Sequence, residues 1–281
     1  MSRFAELQHR VVSMTELREI VGAMRSLSAA RLQEAQQALQ GLRSYADTMA
    51  AAICNVLLLQ GPAPDVVAES GHRALVLYAS EHGFVGGFNE HLIEAAAAIL
   101  CANDRLFVLG SRGAALLMER GQELVWQRPM ATRVSVAPDT INHLTNELYH
   151  QLSRGEISRV EVMFTRCRQG AATSIERRTL LPFDPAVVGP LPNRSPPLHN
   201  LASAELLERL LAEYVFALLT QGAAESIASE NAARFAAMEA AHDNVSKRLV
   251  QLGQCVREAR QDEITSELLD LLTGSSQMNE A

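Results

Sequence analysis

Gly83-x-x-Gly86-Gly87 has the strongest claim to chemistry, because it stands between an apolar run and a helical pattern. A strand that turns through glycines into a helix can cradle phosphate, since the first N–H groups of a helix are unpaired and attract anions. The spacing is not GxGxxG, however, and no GK[ST] follows. The competing expectation is a tight strand-to-helix crossing, in which glycine permits positive φ and close packing. Ser80, Glu81 and His82 bring together three hydrolase residue types, but neighbours in sequence make no triad without a GxSxG context. The eight histidines show no HxxxH pairing. Cys54, Cys101, Cys167 and Cys255 lie far apart with no CxxC, so reduced thiols are expected rather than a zinc site or a disulfide framework. Arg177–Arg178, inside a strand, suits a solvated face. No cofactor and no metal are expected.

The loop sits in a middle segment with alternating patterns. Arg73–Ser80 is a continuous apolar run, as in a strand buried on both faces. Asn89–Leu100 is helical, Asp104–Leu109 is a second strand, and Ser111 caps a helix reaching Glu119 or Arg120. Glu123–Gln127 is a third strand, and Pro138–Asp139 opens a helix to about Leu152. Arg159–Cys167 and Ala172–Leu181 are strands joined by a turn at 168–170, an antiparallel hairpin. Strands alternating with helices predict an α/β class, a Rossmann-like domain with a largely parallel sheet.

The two ends differ from this middle. Ser203–Leu272 lacks proline, and Val245, Leu249, Leu252, Val256 and Ala259 step by four, three, four and three, a coiled-coil seam. Ile264, Leu268 and Leu271 repeat the pattern. One unbroken helix here would run about 100 Å at ~1.5 Å per residue. Ser2–Leu59, with Ser2 as its cap, has the same character and would reach about 85 Å. Ala35, Ala38, Leu42, Tyr45, Met49, Ala52 and Val56 are its strict seam; Leu7, Val11, Met14, Leu17, Ile20, Met24 and Leu27 are spaced more loosely. Met14, Met24 and Met49 suit core filling. Two such helices predict a long antiparallel coiled coil of residues 1–60 and 203–281. Linkers 60–71 and 182–202 would join it to a globular domain, 72–185. Alanines at 223, 224, 228, 232, 233, 236, 237, 240 and 241 would let the helices approach closely as a slim shaft.

The net charge of −7 does not imply nucleic-acid binding, and no stretch approaches the ~20 apolar residues that span a bilayer. The charged N-terminal segment does not have the form of a signal peptide, so the protein is expected on the side of the membrane where it is made.

Layout and three motifs together resemble the gamma subunit of F-type rotary ATP synthases, across nearly the whole chain. The motifs are Ala23-Met24-x-x-Leu27-x-Ala29-x-Arg31, Gly83-Phe84-Val85-Gly86-Gly87-Phe88-Asn89, and Ala228-Ser229-Glu230 through Asp243-Asn244 followed by Ala259-Arg260-Gln261-x-x-Ile264-Thr265-x-Glu267-Leu268. The resemblance implies a non-catalytic rotor shaft inside a ring of alpha and beta subunits, with the globular domain near the epsilon subunit and the membrane c-ring. It further implies that Arg260, Gln261, Thr265 and Glu267 meet the beta-subunit catch loop, and that Met24, Arg25 and Arg31 are neck contacts. An apolar cluster at Leu268–Leu272 would suit the shaft's tip bearing. Peripheral association with the cytoplasmic face of a bacterial plasma membrane follows. Glu81-His82 stands where the family has Asp-Arg, Val85 where it has Cys, and Arg31 where it has Lys. These departures admit a divergent second rotary ATPase, an ATP-driven H⁺ or Na⁺ pump. Outside the resemblance, a nucleotide-binding α/β enzyme with a coiled-coil dimerisation arm and a plain coiled-coil adaptor remain as alternatives.

Overall fold

The computed structural model describes residues 3–60, 71–167, 173–183 and 200–278. Ser2, the turn at 168–170, most of both expected linkers and the side chains at 271 and 272 lie outside the described residues. The elements in order are α1 (Arg3–Gln60), β1 (His72–Tyr78), α2 (Phe88–Ala97), β2 (Arg105–Leu109), α3 (Ser111–Glu119), β3 (Trp126–Arg128), α4 (Ala137–Ser153), β4 (Ile157–Arg166), β5 (Ser174–Leu181) and α5 (Ser203–Met278). They divide into two compact units: Ser28–Arg234, and Met1–Leu27 with Phe235–Ala281.

The larger unit is organised by a five-stranded sheet of order β3-β2-β1-β4-β5. β1 pairs in parallel with β2 and β4, β2 in parallel with β3, and β4 with β5 antiparallel. Period-two alternation sorts β1 between two cores. Ala74, Val76 and Tyr78 face the core shared with α1, α4 and α5, while Leu75 and Leu77 face α2 and α3. Burial of both faces explains the unbroken apolar run. Helix α4 enters the first core through Ala137, Ile141, Leu144 and Leu148, at steps of four, three and four. A third cluster joins α1 to α5 through Ala46, Ile53, Tyr214 and Ala217. Arg43 pairs with Glu225 at 2.6 Å and the Tyr45 hydroxyl donates to Glu213, so these two helix segments run antiparallel.

Two expectations shift here. Between residues 35 and 56 the buried positions of α1 are Ala35, Leu39, Ala46, Ile53, Cys54 and Val56, whereas Tyr45 is exposed and Ala52 half-buried. A straight helix repeats at 3.6 residues rather than 3.5, so a strict seam drifts by ~20° per heptad away from a fixed neighbour. The alanines of α5 also serve a second neighbour: Ala223, Ala224 and Ala228 share one core with the sheet and with Ala35 and Leu39 of α1.

In the smaller unit the expected seam of α5 holds. Val245 and Ala259 are buried, Leu249, Leu252 and Val256 half-buried, and the residues between them mostly exposed. Residues 9–17 and 248–255 together line a groove of about 660 Å³. Leu17, Ile20, Leu27, Ile264 and Leu268, expected on apolar seams, are exposed. A two-helix pair can cover only one stripe of each helix, so apolar residues off that stripe stay on the surface.

Candidate functional site

In a doubly wound sheet, ligands bind beyond the carboxyl ends of the strands where the winding reverses, here β1 and β4. Helix α5 lies across those ends. Ser226 Oγ donates to the Tyr78 carbonyl at 3.0 Å, and Ser229 Oγ to the Thr165 carbonyl at 2.8 Å. The Tyr78 hydroxyl donates to the Leu219 carbonyl at 2.9 Å. Gly222 lets the helix lie flat: a Cβ there would stand 3.3 Å from the Tyr78 ring and 3.4 Å from Phe164. Thus polar residues 220, 221, 225, 226 and 229–231 are buried on a helix that also buries its alanines. Ser226 and Ser229 are held by carbonyls distant in sequence, Gln221 accepts from Arg178, Glu225 pairs with Arg43, and Thr220 and Asn231 donate to carbonyls four residues back, so their periodicity gave no warning.

The glycine loop is held from the same side. Arg234 donates from Nε to the Gly83 carbonyl and from Nη2 to the His82 carbonyl, both at 3.3 Å. Arg234 also pairs with Glu230 at 2.5 Å, and Glu230 accepts the Glu81 amide. Burial raises the Glu230 carboxyl, and Arg234 with the loop amide offsets this only in part. Ser80 is buried and paired with Asn89, and so is not free to act as a nucleophile. Glu81 accepts from the Ser111 amide at 3.0 Å, the Ser111 hydroxyl at 2.8 Å and the Met130 amide at 2.8 Å. Burial would raise its carboxyl, but these bonds outweigh it and hold the group below the usual range. Ser111 is therefore not the cap of α3; Gly110 holds that position, and Glu81 accepts the orphan amide from outside the helix.

The glycines of the loop divide by role. Gly86 has φ +57° and Gly83 meets nothing within 4 Å, whereas a Cβ on Gly87 would lie 3.1 Å from the His91 ring. The closest approaches occur elsewhere. A Cβ on Gly110 would meet the Ala79 carbonyl oxygen at 2.4 Å, and one on Gly113 the Ala79 Cβ at 2.1 Å. Those two glycines, not singled out by the sequence pattern, let α3 and its entry cross β1.

Arg177 and Arg178 are not simply solvated. Glu161 has no exposed side-chain surface and is met by Arg73 at 3.1 Å, Arg159 at 2.7 Å and Arg177 at 2.8 Å. Burial alone would raise its carboxyl; the Arg177 hydrogen bond and the three positive charges pull it below the usual range. Arg178 pairs with Glu176 at 2.8 Å and stacks 5.2 Å from the centre of the Phe164 ring. Among the described residues, no group of three or more His, Cys, Asp or Glu is placed to hold a metal ion, and the four cysteines are free.

The expected partner contacts lie on surfaces. Arg260, Gln261, Thr265 and Glu267 are exposed along α5, and Thr265 Oγ1 donates to the Gln261 carbonyl at 2.8 Å. Met24, Arg25 and Arg31 are half-buried on α1. Helix α5 thus covers the carboxyl ends of β1 and β4, and beside it a cavity of about 530 Å³ remains between Val85, Gly87, His91, Thr165 and Ala233.

Residues 3–278 match the model of the family described as ATP synthase. The chain is 27% identical to the ATP synthase gamma chain of Geobacter sp. (strain M21), across 98% of both chains. The chain belongs to the ATP synthase gamma family. It is also 28% identical to the gamma chain of Phocaeicola vulgatus (strain ATCC 8482), over 98% of this chain and 99% of that one. Among solved structures, a chain of the Euglena gracilis mitochondrial ATP synthase OSCP/F1/c-ring assembly superposes with a TM-score of 0.67. It is 13% identical and covers 98% of this chain and 94% of its own length. A chain of the Tetrahymena thermophila mitochondrial ATP synthase central stalk and c-ring gives 0.58 at 17% identity, covering 79% and 99%. These likenesses show that the mixed α/β domain between long terminal helices is a fold of the gamma family. Among the described residues, no helix of this family member is long and apolar enough to cross a membrane.

Proposed function

We propose that this chain is the central-stalk rotor subunit of an F-type ATP synthase or ATPase. It couples ion flow through a membrane c-ring to conformational change at catalytic sites on beta subunits, and has no catalytic site of its own. The family match over residues 3–278 carries this assignment. Its partners are then a ring of alpha and beta subunits around the helices, an epsilon subunit, and the c-ring. Residues 1–60 and 203–281 form the shaft, and 72–185 the foot. Arg260, Gln261, Thr265 and Glu267 offer hydrogen-bonding groups to the beta catch loop, while Met24, Arg25 and Arg31 meet the ring at the neck. Exposed Leu17, Ile20 and Leu27 supply apolar bearing surface. The complex sits on the cytoplasmic face of a bacterial plasma membrane.

An asymmetric shaft presents unequal contacts to three equivalent catalytic subunits, and unequal contacts bias each toward a different conformation and nucleotide affinity. Rotation permutes the biases. Native purification of a tagged chain, with mass spectrometry of what accompanies it, tests the assignment. Alpha and beta subunits are expected with it, and no ATP turnover by the chain alone. Turnover by the isolated chain, or its recovery without those subunits, overturns it.

A further inference from the structure

The cavity beside α5 has a buried hydrogen-bonding group in its wall that the fold leaves unused. Thr165 is 5% exposed, and its Oγ1 meets no hydrogen-bond partner. Its carbonyl is taken by Ser229; its hydroxyl is not. A buried hydroxyl without a partner is costly, and valine would fill the same space without that cost. The strand register turns this side chain to the cavity side of the sheet. Thr165 shares the face of β4 on which Met163 packs against Leu92 and Ile93 of α2, and Ile175 stands opposite it on β5. Ile175 and Thr173, its neighbour on that face, line the cavity together with Thr165.

The opposite wall is the start of α2, a helix of ten residues whose N-cap is Gly87. Among the described residues, no side chain caps its first amides and no carboxylate lines the cavity; Glu90, the acid of that first turn, stands outside the lining. Uncapped amides carry partial positive charge and attract anions. A Cβ on Gly87 would stand 3.1 Å from the His91 ring, so the glycine leaves room for that ring at the cavity wall. Val85, Phe88, Ile175 and Ala233 make the remaining lining apolar. A volume of about 530 Å³ is in the range that holds a small molecule.

We propose that this cavity binds a small organic anion. Its oxyanion head, phosphate or carboxylate, lies against the α2 amides, His91 and the Thr165 hydroxyl, and a compact apolar body lies against Phe88, Ile175 and Ala233. The amides and the hydroxyl serve as donors, which either head satisfies. The site binds without reacting, and it does not depend on the rotor assignment above. A ligand there touches α2, the β4–β5 pair and α5 at once, and stabilises the folded unit by mass action.

Calorimetric titration of the full chain with phenyl phosphate, benzoate and benzyl alcohol tests this. At least one of the two anions is expected to bind one to one with a Kd of about 1 mM or tighter, and benzyl alcohol about tenfold more weakly or worse. The tighter anion identifies the head group, and either one supports the site. Thr165→Val is expected to weaken that anion about tenfold while leaving the unliganded chain at least as stable in urea, because it removes an orphan hydroxyl at nearly constant shape. Ala233→Phe, which fills the cavity, is expected to abolish binding. The proposal is overturned by the absence of saturable binding of either anion, by equal binding of benzyl alcohol, or by undiminished binding in Thr165→Val or Ala233→Phe. A loss of stability in unliganded Thr165→Val overturns it as well, since the hydroxyl would then serve the fold. If Ala233→Phe does not fold, Thr165→Val decides alone.

Discussion

Within α5, residues 219–231 are buried on every side, whereas between residues 243 and 269 only Val245 and Ala259 are buried. Both stretches mix alanine with glutamate and serine. The first uses its small residues to lie on a sheet and its polar residues to satisfy the ends of β1 and β4. The second packs one narrow stripe and leaves apolar Val250, Ile264, Leu268 and Leu269 exposed. In a helix pair with so little buried surface, the exposed face is free for recognition. In the sheet-bearing unit the same helix is a structural element that few substitutions can enter.

Substitutions at matched residues should separate the two stretches most sharply. Ala224→Asp places a carboxylate where no surface is exposed, and should cost about 4 kcal/mol or more. Ala240→Asp, at an exposed position, should stay within about 0.5 kcal/mol. Denaturant unfolding followed by the sole tryptophan, Trp126 of β3, measures both. Equal effects would abolish the distinction.

Acid unfolding should then sharpen it within the larger unit. Glu161→Gln leaves three arginines around a neutral amide and should cost about 3 kcal/mol at neutral pH. The folded pKa of Glu161 is depressed below 4.5, so its contribution is complete above that value and is lost as pH falls through the folded value. Glu230 has the opposite sign. Its folded pKa is raised by burial, so the folded state takes up a proton first and Glu230 favours folding increasingly as pH drops toward 4.5. Glu161→Gln should therefore flatten the acid loss of stability, and Glu230→Gln should steepen it; the same change of slope in both variants would refute the assigned directions.

Smaller effects are expected between α1 and α5. Tyr45→Phe removes an exposed hydrogen bond to Glu213 and should cost about 1 kcal/mol or less. That bond, with burial and the Glu213 charge, pushes the Tyr45 phenol up to about 12, so ultraviolet titration should lose its phase near that pH in the variant. The least change in fold stability is expected from the Arg260→Ala/Gln261→Ala pair, within about 0.5 kcal/mol in the isolated chain. Its effect should appear as weaker ATP-driven pumping in the assembled complex. A large loss of stability instead would place these residues in packing rather than recognition.

Much of the fold was legible in the residues. Arg73–Ser80 and Arg159–Cys167 declare strands because a strand buried on both faces must be apolar throughout, and the observed β1 and β4 differ from those ranges by only a residue or two. The proline-free ends declare helices, and the seam from Val245 to Ala259 is the one observed. The motifs around Gly83, Ser229 and Arg260 carried the family resemblance. The long-range partners were not legible. The alanines at 223–228, expected to face a second helix, share a core with the sheet as well as with α1. Gly110 and Gly113 permit the close crossing that was expected of Gly83 and Gly86. Ser226, Ser229 and Arg234 are fixed by carbonyls between 64 and 152 residues away. Periodicity and turn chemistry are local properties, so the chain alone determined which segments are helix and strand. Which neighbour each face meets depends on how those segments pack, and only the tertiary structure decided that α5 lies across the carboxyl ends of β1 and β4, where a doubly wound sheet receives its ligands.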